Sequence, residues 1–332
     1  MNHFDPTLSG HAVRLASKRA IRFDQSENVI ARRCGAELLE RLDFITIQPQ
    51  AILDLGGGMG LESRELANKY PEALVVGLDN CFDAASDLKA VTPPDAWSAC
   101  FGDAHELPFK DHCFDFVFAN LILPWTDSTD ALKEVARVLK PGGLVLLATF
   151  GPDTLIELRA AWAEVDNKPH GHAFIDMHDL GDTILQAGFL EPVMDVDVVG
   201  LTYLSVEGLV KDLRMLGGTN ALVDRRRSLT GKSRWQTFKS AYGSSSADSD
   251  RLRATFELIY GVAWARIPPD DRERSIEVKF GELARAGPRG FISPFFDLGR
   301  LTNAGSKSFS GKNKGIMLDA FISNMLVFAV FS

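Results

Sequence analysis

The most chemically pointed stretch of the chain sets an acidic residue ahead of four glycines in five positions: Asp54-Leu55-Gly56-Gly57-Gly58-Met59-Gly60. Glycines at 56, 58 and 60 let a backbone turn tightly and approach a ligand where a Cβ would collide. A dinucleotide fingerprint would place its third glycine at 61, where the chain has Leu. Further along, Asp79 and Asn80 close an apolar run, and a carboxylate at such a position can accept hydrogen bonds from both hydroxyls of a ribose. Asp103-Ala104 follows a third run, and Asn120-Leu121 ends a fourth. Taken singly, the glycines could form a plain strand-to-helix turn, and Asp79 or Asp103 a helix N-cap. Four such features in order are better read together, as a nucleoside site.

The elements that must position these residues are short apolar strands separated by helical patterns. Strands are expected at 51–55, 74–79, 97–101, 114–120 and 144–150, and helices at 61–69, 84–90 and 129–139. Strands without polar alternation imply a parallel sheet covered on both faces, with ligands held at its carboxyl edge. The fold class is therefore α/β, a doubly wound sheet. Ahead of it, 29–42 repeats apolar residues at helical spacing. After Phe150 the pattern changes, with helices expected at 153–165, 177–187 and 206–216 and an edge strand at 194–198, where apolar and polar residues alternate. Apolar-rich runs also cover 192–204 and 257–264, 243–250 reads as a Ser/Asp-rich surface loop, and 304–315 as a Gly/Ser/Lys-rich linker.

With 332 residues, 45% hydrophobic and 24% charged, the chain has a globular composition that excludes a disordered or collagen-like protein. Its net charge of -8 argues against general nucleic-acid binding. Four cysteines at 34, 81, 100 and 113 form no CxxC pair, which fits reduced thiols in a cytoplasmic protein. The apolar stretch 316–332 carries Asp319 and Asn324 and is shorter than a membrane span needs, so no membrane partner is expected.

The order acidic-x-Gly-x-Gly-x-Gly, then Asp79, then Asp103, together with Lys140-Pro141-Gly142-Gly143 before the fifth strand, resembles class I S-adenosylmethionine-dependent methyltransferases. Their Rossmann-like sheet is mainly parallel and seven-stranded. The resemblance implies a cofactor site of Asp54, Gly56, Gly58, Gly60, Asp79, Asn80, Asp103, Ala104, Asn120 and Leu121, with Asp103 at the adenine amino group. It also implies that Phe23, near Arg19 and Asp24, covers the methionine end.

Later stretches are similar to the malonyl-acyl-carrier-protein O-methyltransferases of biotin synthesis. They are 150–162, 169–174, Asp179-Leu180 with Ala187-Gly188-Phe189, Leu213-Arg214-Met215-Leu216-Gly217-Gly218-Thr219-Asn220 and 256–264. The same scaffold is shared by a complex I assembly factor reported as a protein arginine hydroxylase, which is the alternative. Two departures stand out: Gly57 occupies a position where the family commonly has Cys, and the tail beyond about residue 285 matches neither family. The resemblance implies segments at 1–50 (helical lid), 51–150 (cofactor-binding core), 151–290 (remaining strands and a helical substrate and carrier insertion) and 291–332 (tail).

A malonyl carboxylate is ionised at neutral pH and needs no general base, so no catalytic residue is assigned and positioning must carry the reaction. Selecting that carboxylate calls for a cation, and Arg159 and Arg214 on the later helices are the candidates. Residues 209–240 hold eight basic side chains against two acidic ones. Within that run Arg225, Arg226, Arg227, Lys232, Arg234 and Lys239 would dock an acidic acyl carrier protein. His170, His172 and His178 with Asp176 could suggest a metal, but Pro169 and Gly171 favour loop structure, and none is expected.

Overall fold

In a computed structural model, which describes residues 8–81, 97–248 and 251–267, the unalternating apolar runs become the centre of one sheet. Strands β1 (Ala51–Leu55), β2 (Leu74–Asp79), β3 (Trp97–Phe101), β4 (Phe114–Asn120) and β5 (Leu139–Phe150) run parallel in the order β3-β2-β1-β4-β5. Ile52, Leu53, Phe116, Val117 and Phe118 are each fully buried, as two covered faces require.

Beyond β5 the sheet reverses. Strand β8 (Arg251–Ala265) lies antiparallel between β5 and β6 (Phe189–Tyr203), and the two-residue β7 (Ala247–Asp248) pairs with β8. The main path is thus seven strands and mainly parallel, as expected. The alternating stretch 194–198 lies inside the edge strand β6, with Val196 and Val198 exposed.

One face carries α2 (Val29–Arg41), α5 (Ile156–Ala163), α7 (Val206–Met215) and α8 (Lys232–Ser246), whose Ile30, Leu38, Leu158, Leu209 and Phe238 join one core with Phe116 and Phe118. The other carries α4 (Ser128–Val138) and α6 (Met177–Gln186) through Leu132, Val135, Leu180 and Ile184. Helix α1 (Gly10–Ala20) precedes α2, and α3 (Leu61–Lys69) follows β1. Several starts carry side-chain caps: Ser9, Asn28, Asp127, Asp176 and Ser205 each accept a main-chain N–H from the first turn.

Three expectations change. The stretch 243–250 is not simply a surface loop: 243–246 complete α8 and 247–248 pair with β8, because strand pairing overrides the weak local preference of serine. Helix α5 starts at Ile156 rather than Asp153, since Leu155 adopts a left-handed φ of 56°. The Lys140–Gly143 turn bulges out of β5, whose register steps from Phe114↔Leu139 to Phe116↔Leu144. The expected helix at 84–90, the linker at 304–315, the apolar stretch at 316–332 and the tail segment 291–332 lie outside the described residues. Among the described residues, no helix is long and apolar enough to cross a membrane.

Candidate functional site

At the carboxyl ends of β1, β2 and β4 lies a cavity of about 160 Å³. Its floor is the glycine loop. Gly56 and Gly57 both donate to the Leu78 carbonyl oxygen, at 2.8 and 3.1 Å. Gly56 has φ +79°, a conformation that favours glycine, and a Cβ there would crowd Ile122 at 3.0 Å. The Gly58 N–H donates to Asp79 Oδ2 at 3.1 Å and the Cys81 N–H to Oδ1 at 2.8 Å, which fixes that carboxylate at the rim. Burial raises the Asp79 pKa, opposed by these N–H groups.

Asp54 is sealed beneath the loop at 1% exposure and accepts a 2.5 Å hydrogen bond from Ser63 Oγ. Burial, followed by the nearby Glu62 carboxylate, pushes its pKa up to about 7. Burial also raises Glu62, although Arg32 at 3.9 Å opposes the shift. Asn120 donates from Nδ2 to the Ala31 carbonyl at 3.1 Å, and its buried Oδ1 has no partner among the described residues. Next to it, Leu121 holds φ 55°, a sparsely populated conformation for leucine that is often found at ligand sites. The roof comes from 13–28 and from α7: Gln25 Nε2 donates to Ala20 O at 2.6 Å and to Met215 O at 3.3 Å, tying the two together.

Of the residues expected at a cofactor site, Asp54, Gly56, Gly58, Asp79, Asn80, Asn120 and Leu121 line this cavity together. Gly60, Asp103, Ala104 and Phe23 are not among the described residues that line it. Gly60 is the left-handed N-cap of α3. Asp103 accepts the His105 N–H at 3.0 Å and contacts its ring at 2.6 Å; burial alone would raise its pKa, but these partners outweigh it and the net shift is downward. Ala104 is packed in the core, and Phe23 is half-buried in the turn after α1, whose neighbours Ala20, Ile21 and Gln25 face the cavity instead. Sequence reasoning missed Glu62, Arg32, Gln25 and Trp125. Glu62 had a signal, an acid in the first turn of the helix after the glycine loop, which also reads as ordinary helix-end electrostatics.

A smaller cavity, about 70 Å³, adjoins the first, and both are lined by Trp125 and Leu216. Its wall is largely aromatic and aliphatic, with Phe150, Phe174, Leu155 and Phe256, and it contains Arg159. This half-buried guanidinium donates to the carbonyls of Pro152 and Thr154 and forms no ion pair among the described residues. Burial lowers its pKa, opposed by Asp153 and Glu157. Arg214 does not share the site: it is exposed on α7, whose inward face is Leu209, Leu213 and Met215. The geometry thus separates two arginines that the sequence offered together, with Arg159 preferred.

The histidines are engaged with the protein. His170 Nε2 lies 2.9 Å from Asp166 and its ring stacks on Trp162 at 3.8 Å. His172 bridges the Pro124 carbonyl and the Ala221 N–H, and exposed His178 contacts Asp176. The basic run is divided as well. Arg226 and Arg234 pair with Asp166, Lys239 with Glu207 at 3.0 Å, and Arg225 donates to Leu222 O at 2.7 Å, while Arg227 and Lys232 are exposed.

A family model for a methyltransferase domain matches residues 53–147, the span from β1 into β5. A malonyl-acyl-carrier-protein O-methyltransferase from Gallionella capsiferriformans is 37% identical over 289 residues, covering 84% of this chain and 98% of that protein. Another, from Coxiella burnetii, is 41% identical over 255 residues and covers 76% and 87%. The chain belongs to this family. The likeness to family members is far longer than 53–147, so it takes in segments that build the second cavity. These relatives give no support to the assembly-factor reading. A crystal structure from Bacillus halodurans, 18% identical with a TM-score of 0.50 over 70% of this chain and 99% of its own, shares the fold alone.

Proposed function

We propose that the chain binds S-adenosylmethionine in the first cavity and methylates the free carboxylate of a malonyl thioester, presented by acyl carrier protein, in the second. The observation that carries this reading is the pairing of opposite chemistries across a shared wall. Acidic side chains Asp54, Glu62 and Asp79 line one cavity; an arginine that forms no ion pair among the described residues stands in the other. The first set suits a cationic, hydroxyl-bearing ligand: Asp79 would accept from ribose hydroxyls, and Asn120 Oδ1, which has no partner among the described residues, would take a donor. Bound there, S-adenosylmethionine supplies a methyl group activated by a sulfonium and leaves as S-adenosylhomocysteine.

The chain's own contribution is placement. Arg159 would hold an anionic acyl end by charge-assisted hydrogen bonds and discriminate against an acetyl group, which offers no charge. The malonyl carboxylate is already ionised, so no residue need remove a proton. Phe150, Phe174 and Phe256 keep water from the anion, and alignment of the reacting groups supplies several kcal/mol of the barrier. The exposed basic side chains of 225–239 would meet the carrier. A cytoplasmic setting fits unbridged cysteines at all four positions.

The test is incubation with labelled S-adenosylmethionine and carrier protein loaded with malonyl or acetyl. Label is expected in an ester on the malonyl form alone. Equal labelling of both, or of neither, overturns the reading.

A further inference from the structure

We propose that Trp125 is the partition across which the methyl group passes, and that His172 is the positioning residue that sets its orientation; this rests on the methyl-transfer reading above. Trp125 ends a 3-10 turn, Leu123–Trp125, immediately after β4, and its N–H bonds to Ile122 O at 3.0 Å. It lines both the cavity holding Asp54 and Asp79 and the cavity holding Arg159. Leu216 completes the shared wall from the end of α7. An aromatic ring suits such a boundary. It excludes water from both sides, and its π face is favourable to a cationic sulfonium.

One neighbour of that ring is itself anchored at both ends. The His172 ring meets it edge-on, with centroids 4.9 Å apart and planes at 70°. His172 Nδ1 lies 3.2 Å from the carbonyl of Pro124, the residue before Trp125, and Nε2 receives the Ala221 N–H at 3.0 Å. An N–H can only donate, so Nε2 is the acceptor and Nδ1 carries the proton toward Pro124. One neutral, buried imidazole thus joins the turn after β4 to the segment after α7. Ala221 in turn accepts the Ser9 N–H at 2.8 Å, so the same bridge reaches the N-cap of α1, the start of the roof. Two chain segments beside the cavities meet at this histidine, and the start of α1 is joined to them through Ala221.

His172→Phe keeps a ring of similar size and removes both hydrogen bonds. His172→Gln again offers one donor group and one acceptor, carried on a carboxamide. With malonyl-loaded carrier protein, His172→Phe is expected to lower kcat about 30-fold, because small misplacements of reacting groups are costly. KM and the Kd for S-adenosylhomocysteine should stay within about threefold, and His172→Gln should return kcat to within about fivefold of the unaltered chain.

Tryptophan emission supplies a readout independent of turnover. The change on binding S-adenosylhomocysteine should be lost in Trp125→Phe, altered in His172→Phe and regained in His172→Gln. The proposal is overturned if His172→Phe turns over normally, if glutamine restores neither kcat nor the emission change, or if that change survives in Trp125→Phe. Should His172→Phe fail to fold, the glutamine and Trp125→Phe variants still decide. If the unaltered chain methylates no malonyl carrier, the function reading fails, while the emission arm still judges the partition.

Discussion

Asp54 keeps its proton far above the usual carboxylate range because it is closed off beneath the glycine loop and shares that space with Glu62. Its pKa is raised in the folded chain, so between about pH 4 and 7 the native state binds a proton that the unfolded state has lost. The stabilisation is complete below the unfolded value and disappears as pH rises through about 7. Asp54→Asn, measured by denaturant unfolding without ligand, should therefore flatten this fall relative to the unaltered chain, by up to about 4 kcal/mol at neutral pH. The same variant should bind S-adenosylhomocysteine more weakly by calorimetry. For Arg159→Ala, kcat/KM on the malonyl substrate should drop roughly 10- to 100-fold, the worth of a charge-assisted hydrogen bond, with cofactor affinity nearly unchanged. An unchanged kcat/KM would remove Arg159 from the acceptor site. The order of features pointed to Gly56, Gly58 and Asp79, and the family resemblance added Asp54; a glycine loop by itself would read equally as a plain turn. The sequence favoured Arg159 over Arg214 only weakly, since both sit on helices, and packing supplies the reason: α7 turns Leu213 and Met215 inward and Arg214 outward.

The segment joining β5 to α5 explains how Arg159 is aimed. Gly151 packs so tightly on β8 that a Cβ would fall 2.3 Å from Glu257 Cδ. The Glu257 carboxylate accepts the Asp153 N–H at 2.7 Å, Thr154 exchanges hydrogen bonds with the Glu257 main chain at 3.0 Å, and Leu155 donates to Thr255 O at 2.6 Å. Gly151→Ala would force the Glu257 side chain away and break its bond to Asp153. We expect a loss of about 1–3 kcal/mol in unfolding free energy. A rise in KM for the malonyl substrate should accompany it, with the Kd for S-adenosylhomocysteine unaffected. Parallel loss of both affinities would mean that the segment serves the fold generally. Strand and helix types at this scale were readable from apolar periodicity. The left-handed Leu155 and the strand pairing at 247–248 were not, because each is imposed by β8, a partner about a hundred residues away from Leu155 in the chain.

Across the whole molecule, a net charge of -8 coexists with a basic stretch at 209–240, but the structure divides that stretch. Arg226, Arg234 and Lys239 already have carboxylate partners, so Arg227 and Lys232 are the better placed to meet an acidic protein. Reversing both, Arg227→Glu with Lys232→Glu, should slow association with the carrier about tenfold at low salt and much less at high salt. Turnover of a small malonyl thioester should not change, and equal losses on both substrates would exclude a docking role. The placement of β8 has a consequence for biosynthesis. The last described strand is inserted between β5 and β6, so a nascent chain must expose the apolar margin of β5 until residue 265 has left the ribosome. The nucleoside half, built from β1 to β4, can assemble early, whereas the acceptor half must wait for Glu257 to arrive. Synthesis itself therefore orders the two halves in time, and the interval between them is when this polypeptide most needs protection from aggregation.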